Sequence, residues 1–206
     1  MAGINTIIFD LGGVLIDWNP HYVFHDDYFD SRETRDYFFE NICTPDWNEN
    51  QDAGYPIAKA TKERIALFPE WEKEISDYYG RWTEMLGGPI RETVEIFRKL
   101  KQNPGLKIYA LTNWSAELFP IALERYDFLH WFDGRVVSGV EKMRKPFPEF
   151  YRLLLYRYSV NPAQALLIDD NLRNIKAAEE IGIKGVHFIN PGQLKNELAV
   201  HHIQFK

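Results

Sequence analysis

The chain has 206 residues, 45% of them hydrophobic and 26% charged, the make-up of an ordinary folded protein, which excludes a disordered or membrane-embedded chain. Its 24 Lys and Arg stand against 30 Asp and Glu, a formal charge of -6 with no basic block, which argues against a nucleic-acid partner. The single cysteine, Cys43, excludes an internal disulfide and fits a reducing, cytoplasmic setting, and no apolar stretch approaches the roughly 20 residues of a membrane span.

Met1 to Asn5 lead directly into an apolar strand, without the basic segment and long apolar run of a secretory leader. That strand, Thr6 to Phe9, ends on Asp10 and is followed by Gly12 and Gly13. Ligands of parallel α/β sheets bind beyond the carboxyl ends of strands, so Asp10 stands where chemistry is done. The glycines permit a tight turn and a close approach of backbone to an anion.

The next core strand is expected about 100 residues later, far more than one crossover requires, so a segment is inserted. From Pro20 to Leu86 it is aromatic and acidic with helical spacing: Tyr22, Phe24, Tyr28 and Phe29, then Tyr37, Phe38 and Ile42. Ile75, Tyr78, Tyr79, Trp82, Met85 and Leu86 recur on one helix face. A helical cap is expected over 16–86, with Gly87-Gly88-Pro89 as its return hinge.

Apolar runs and helical patterns then alternate, the signature of βαβ units around a parallel sheet. Strands are expected at Leu106 to Leu111, Arg135 to Ser138, Ala165 to Ile168 and Gly185 to Ile189. Helices fit between them at Pro89 to Lys101, Ser115 to Tyr126, Phe147 to Tyr158 and Asn171 to Ile181, and the tail after Gln193 reads as a short polar helix. The fold class is α/β, a doubly wound Rossmann-like parallel sheet formed by 1–15 and 87–206 with the helical cap inserted.

Three polar clusters fall in this half, each after an apolar run. Thr112 and Asn113 can donate to phosphate oxygens together with backbone N–H groups. Lys145, followed by Pro146, is a cation presented from a loop. Asp169 and Asp170 are adjacent acids whose repulsion so close to Asp10 calls for a cation, and Mg²⁺ takes one or two carboxylates, waters and a substrate phosphate. Asp170 is the expected direct metal ligand, with Asp169 direct or through water. Asn174, four residues on and on the same helix face as Asp170, is expected to orient that shell. A nucleophilic carboxylate, a hydroxyl and amide pair, a lysine and an acidic pair suit phosphoryl transfer with one divalent cation.

With these motifs in this order, the sequence resembles the haloacid dehalogenase superfamily, whose members are mostly phosphatases, over nearly its whole length. The resemblance implies that Asp10 is the nucleophile, that Lys145 pairs with both Asp10 and the phosphate, and that the metal takes one Asp10 oxygen and the Gly12 carbonyl. It also implies that Trp47 and Asn48, in the cap, contact the non-phosphate part of a small-molecule substrate. Phosphatases of the family carry a second Asp, the general acid, where this chain has Gly12. That departure resembles the branch acting on sugar 1-phosphates, and it leaves Asp17, His21, His25, Glu49 and Asp52 as unranked proton donors. Two other readings stand beside a Mg²⁺-dependent phosphatase: a metal-independent 2-haloacid dehalogenase, and a catalytically weak phosphate-binding or regulatory protein of this fold.

Overall fold

Thr6–Phe9 (β1), every residue of which is buried, forms the middle strand of the computed structural model, which describes residues 3–203. The outermost ends of the expected core segments, 1–2 and 204–206, lie outside the described residues. Ile16–Trp18 (β2) and Leu86–Pro89 (β3) pair antiparallel as a separate ribbon. Lys107–Thr112 (β4), Gly134–Val137 (β5), Ala165–Asp169 (β6) and Lys184–His187 (β7) join β1 in a parallel sheet of order β5-β4-β1-β6-β7.

Between β2 and β3 the chain is helical, with Arg32–Tyr37 (α1), Pro45–Asp52 (α2), Ile57–Leu67 (α3) and Glu72–Gly80 (α4) as its α-helices. After β3 come Arg91–Leu100 (α5), Phe119–Arg125 (α6), Ser138–Glu141 (α7), Pro148–Arg157 (α8), Leu172–Glu180 (α9) and Pro191–Val200 (α10). No helix among the described residues is long and apolar enough to cross a membrane.

Alternation along the strands builds two cores. Ile7 and Phe9 of β1, Ile108 and Ala110 of β4, and Leu166 and Ile168 of β6 share one face, covered by Ile96, Phe97 and Leu100 of α5 and Leu194 and Leu198 of α10. Ile8, Tyr109, Leu111 and Leu167 point the other way, onto Phe150, Tyr151 and Leu154 of α8 and Ile175 and Ala178 of α9. The first core continues without a break into the helical segment through Phe24, Phe38, Ile42, Ile75 and Tyr78. Trp82 and Trp114 close the seam edge to face, with ring centroids 5.6 Å apart.

Several boundaries differ from those read in the sequence. Gly87-Gly88-Pro89 is not a free hinge but the body of β3, in register with Asp17 and Ile16, so Pro89 ends a strand and the helix starts at Arg91. The apolar face from Ile75 to Leu86 is not one helix, because α4 stops at Gly80 and a 3₁₀ turn over Trp82–Met85 carries the chain into β3. The helix expected from Ser115 begins at Phe119, after a turn in which the Ser115 hydroxyl accepts the Glu117 N–H at 3.2 Å. The tail helix is not polar all round, since Leu194 and Leu198 are fully buried.

Candidate active site

β1 lies between β4 and β6, and the chain leaves it to opposite sides, so the residues following these three strands converge at one edge of the sheet. Each of Asp10, Asp169 and Asp170 offers an oxygen, and these oxygens lie within 4.8 Å of one another. Behind Asp10 the turn is drawn tight: the Leu11 carbonyl accepts from Val14, Leu15 and Ile16, and Gly13 takes a φ of +72°. The Gly12 carbonyl accepts no backbone hydrogen bond from the described residues, and Gly12 lines the cavity above Asp10.

Lys145 is fully buried, its Nζ 2.8 Å from Asp10 Oδ2 and 2.6 Å from Asp169 Oδ2. Burial alone would lower its pKa, but Asp10 and Asp169 outweigh it and hold the ammonium above its ordinary value. Asn113 fixes the lysine's backbone at both ends: the Lys145 N–H donates to Oδ1 at 2.8 Å, and Nδ2 donates to the Lys145 carbonyl at 3.0 Å.

This pairing engages Asn113 Oδ1 and one of the two amide hydrogens, leaving the other and the backbone N–H, which has no acceptor among the described residues, for an anion. Thr112 ends β4 with its hydroxyl buried and unpartnered, a state that costs about 1–3 kcal/mol and that an anion's oxygen would relieve.

The two acids of β6 are not equivalent. Asp169 is wholly buried; its Oδ1 accepts the Asn171 N–H at 2.8 Å and Asn174 Nδ2 at 3.0 Å, while Oδ2 takes Lys145. No hydrogen bond from another described residue reaches the Asp170 carboxylate, which lines the cavity and packs against Gly13 so closely that a Cβ there would overlap Oδ2. Asn174 thus reaches that shell through Asp169 rather than Asp170. Asp170 precedes α9, which begins at Leu172, so helical spacing does not relate the two residues.

Burial raises the Asp10 carboxyl well above the usual range, and the charges of Asp169 and Asp170 raise it further against the pull of Lys145. Desolvation and Asp169 likewise raise Asp170. Three carboxylates facing one ammonium, with an unpartnered Asp170 and an open Gly12 carbonyl, form a hard-oxygen site short of positive charge. A divalent cation such as Mg²⁺ fits it.

The cavity holds about 370 Å³, within the roughly 300–1,000 Å³ range of small-molecule sites. Its far wall is α2, whose Asn48, Glu49 and Asp52 face inward together. Trp47, expected beside Asn48 as a substrate contact, does not line it. One residue turns a helix by about 100°, and Trp47 instead packs on Tyr78 and Tyr79, each at 5.4 Å.

Glu49 accepts from Arg144 on one oxygen and from Arg173 on the other, joining α2 to the loop before α8 and to the first turn of α9. Arg173 lines the cavity, and Arg144 supports its wall from behind through Glu49. The inward stripe of Asn48, Glu49 and Asp52 was legible as helical spacing; the arginines, distant in sequence, were not.

Asp52 accepts from Asn48 Nδ2 at 3.0 Å and from the Ser115 N–H, and desolvation pushes its carboxyl up to about 7. Of the other proton donors considered, Glu49 is held by its two arginines. Asp17 is held by the Tyr22 hydroxyl at 2.5 Å, and His21 and His25 are exposed; none of these three lines the cavity.

Residues 4–182 match the family of haloacid dehalogenase-like hydrolases. A sesquiterpene phosphatase of Aspergillus oryzae is 31% identical over 185 residues, 87% of this chain and 87% of its own length. A phosphorylated carbohydrates phosphatase of Thermotoga maritima is 27% identical over 202 residues, 92% of this chain and 89% of its own. Among solved structures, the magnesium complex of a family enzyme from Bacteroides thetaiotaomicron superposes with a TM-score of 0.69 at 23% identity, covering 93% of this chain and 96% of that one.

Proposed function

Because this chain belongs to the haloacid dehalogenase-like hydrolases, we propose that it is a Mg²⁺-dependent phosphatase, acting on a small phosphorylated metabolite through an aspartyl-phosphate on Asp10. The observation that carries this reading is the convergence of Asp10, Asp169 and Asp170 around an unpartnered carboxylate, with Lys145 bridging the first two.

In this reading an Asp10 oxygen attacks phosphorus and the bond from phosphorus to the leaving oxygen breaks. Water then cleaves the acyl phosphate, releasing inorganic phosphate and restoring Asp10. Leu11 N–H, 2.7 Å from Oδ1, and Lys145 hold the carboxylate in place. The Thr112 hydroxyl, the Asn113 N–H and Lys145 bind the phosphoryl oxygens. Asp10, Asp170 and the Gly12 carbonyl would hold the metal, with Asp169 acting on it through water. When bound, the metal supplies positive charge against the phosphoryl oxygens.

Gly12 offers no proton to the leaving group. Asp52 is the donor in this reading, since it combines a place on the cavity wall with a carboxyl that keeps its proton near neutrality. The segment 16–86 acts as a cap that screens the transfer from water.

Phosphate release from a panel of phosphomonoesters, measured with Mg²⁺ and with excess chelator, tests the proposal. Metal-dependent release supports it. Chelator-resistant halide release from 2-haloacids would make the chain a dehalogenase, and phosphate binding without turnover on any ester would make it a binding protein.

A further inference from the structure

Resting on that phosphatase reading, we infer that the substrate is the monophosphate of an apolar alcohol, aromatic or isoprenoid, rather than of a polyol. The inference comes from how the walls opposite Asp10 spend their hydrogen bonds.

A sugar held in a closed cavity exchanges its bonds to water for bonds to protein, and each hydroxyl left without a partner costs free energy. The polar side chains placed to receive it are those of α2, and they are already engaged with other protein groups. Asn48 donates to Asp52 and accepts the Tyr79 hydroxyl, both at 3.0 Å. Glu49 has an arginine on each oxygen. Asp52 holds Asn48 and the Ser115 N–H. A polyol would have to break this network to be recognised.

The aromatic part of that wall is Trp18, Phe39, Tyr78, Trp82 and Trp114, and the guanidinium of Arg173 beside it is held by Glu49. The tryptophans and Tyr78 offer one indole N–H or phenol group each and Phe39 none, suited to one ester oxygen but not to a row of hydroxyls. Trp114 and Trp82, buried to 5% exposure each, meet edge to face, so the surface they offer is rigid and aromatic. The cavity is therefore polar at its floor, where the phosphoryl group sits, and apolar where the alcohol lies. Apolar surface buried against such a wall favours binding in proportion to its area.

The test compares primary alkyl esters of similar leaving-group reactivity, so that only the alcohol's polarity differs: 3-phenylpropyl and citronellyl phosphate against glucose 6-phosphate and glycerol 3-phosphate, with p-nitrophenyl phosphate as a check on chemistry. Apolar esters should be preferred in kcat/KM by at least about tenfold, the low end of the 10–200-fold that a single methylene can bring in an apolar pocket. In Trp18→Ala, whose side chain is only half-buried, that preference should fall toward unity. Equal or better hydrolysis of the polyol esters would overturn the inference and leave the phosphatase intact. Absence of metal-dependent release from every ester, p-nitrophenyl phosphate included, would instead overturn the phosphatase reading.

Discussion

Gly13 and Asp170 fit together with no room for a methyl group: the Cβ that Gly13 lacks would occupy the place of Asp170 Oδ2. The glycine also holds a φ of +72°, which side-chain-bearing residues rarely adopt. Gly13→Ala should displace the proposed metal ligand, raising the Mg²⁺ needed for half-maximal activity by about 10- to 100-fold, the usual effect of disturbing a ligand's support. A metal titration of the folded variant checks it, and an unshifted midpoint would remove Asp170 from the metal site.

Asp10→Asn should abolish hydrolysis, and Asp170→Ala should abolish activity together with its response to metal. Circular dichroism would establish that each variant folds. Full activity in either one would sink the proposed mechanism.

Asp52 carries its proton below about pH 7 and loses it above. A donor in that state lets kcat/KM fall as pH rises through 7, while any fall on the acid side reports the nucleophile Asp10, whose carboxyl is raised as well. Asp52→Asn should erase that alkaline limb and lower kcat/KM for alkyl phosphates by about 10²- to 10⁴-fold, the usual worth of general acid catalysis. The loss on p-nitrophenyl phosphate, whose leaving group needs little protonation, should be much smaller. Equal losses on both esters would indicate that Asp52 merely holds Asn48 and Ser115 in place.

Nothing stands within 4 Å of a Cβ built on Gly12, so Gly12→Asp introduces a carboxyl without a clash at its root. It should raise activity toward esters of poor leaving groups more than toward p-nitrophenyl phosphate. Unchanged selectivity would show that another acid already fills the role.

Asn113→Ala should lower kcat while the enzyme stays folded, because two hydrogen bonds that hold the Lys145 backbone disappear while the ammonium keeps both carboxylates. A rise in KM alone, with kcat unchanged, would point to direct phosphate binding by Asn113 instead.

The strands carrying Asp10, Thr112 and Asp169 were legible because each is a short, largely apolar run ended by a polar residue, the pattern of a strand buried on both faces. The β2 and β3 ribbon was not. Its strands, Ile-Asp-Trp and Leu-Gly-Gly-Pro, are too short to show alternation, and glycine and proline there read as a turn. Residue types at the site were readable, but their partners were not. Asn113 to Lys145, Asn174 to Asp169 and Glu49 to Arg173 are each settled by how separate elements pack together, which no local spacing records. Trp47 was misplaced for a simpler reason: on α2 it falls outside the side that Asn48, Glu49 and Asp52 share.

The β2 and β3 ribbon also sets how this chain can diversify. Ile16 and Pro89 are register partners, so the two ends of the inserted segment stand about 5 Å apart. A two-residue hairpin turn closes a gap of that size. Everything between is, in topological terms, an enlarged loop, and rewriting it leaves the order of β1, β4 and β6 untouched. Exchange at two adjacent cut points would transplant the whole inserted segment while leaving Asp10, Lys145, Asp169 and Asp170 on the elements that hold them.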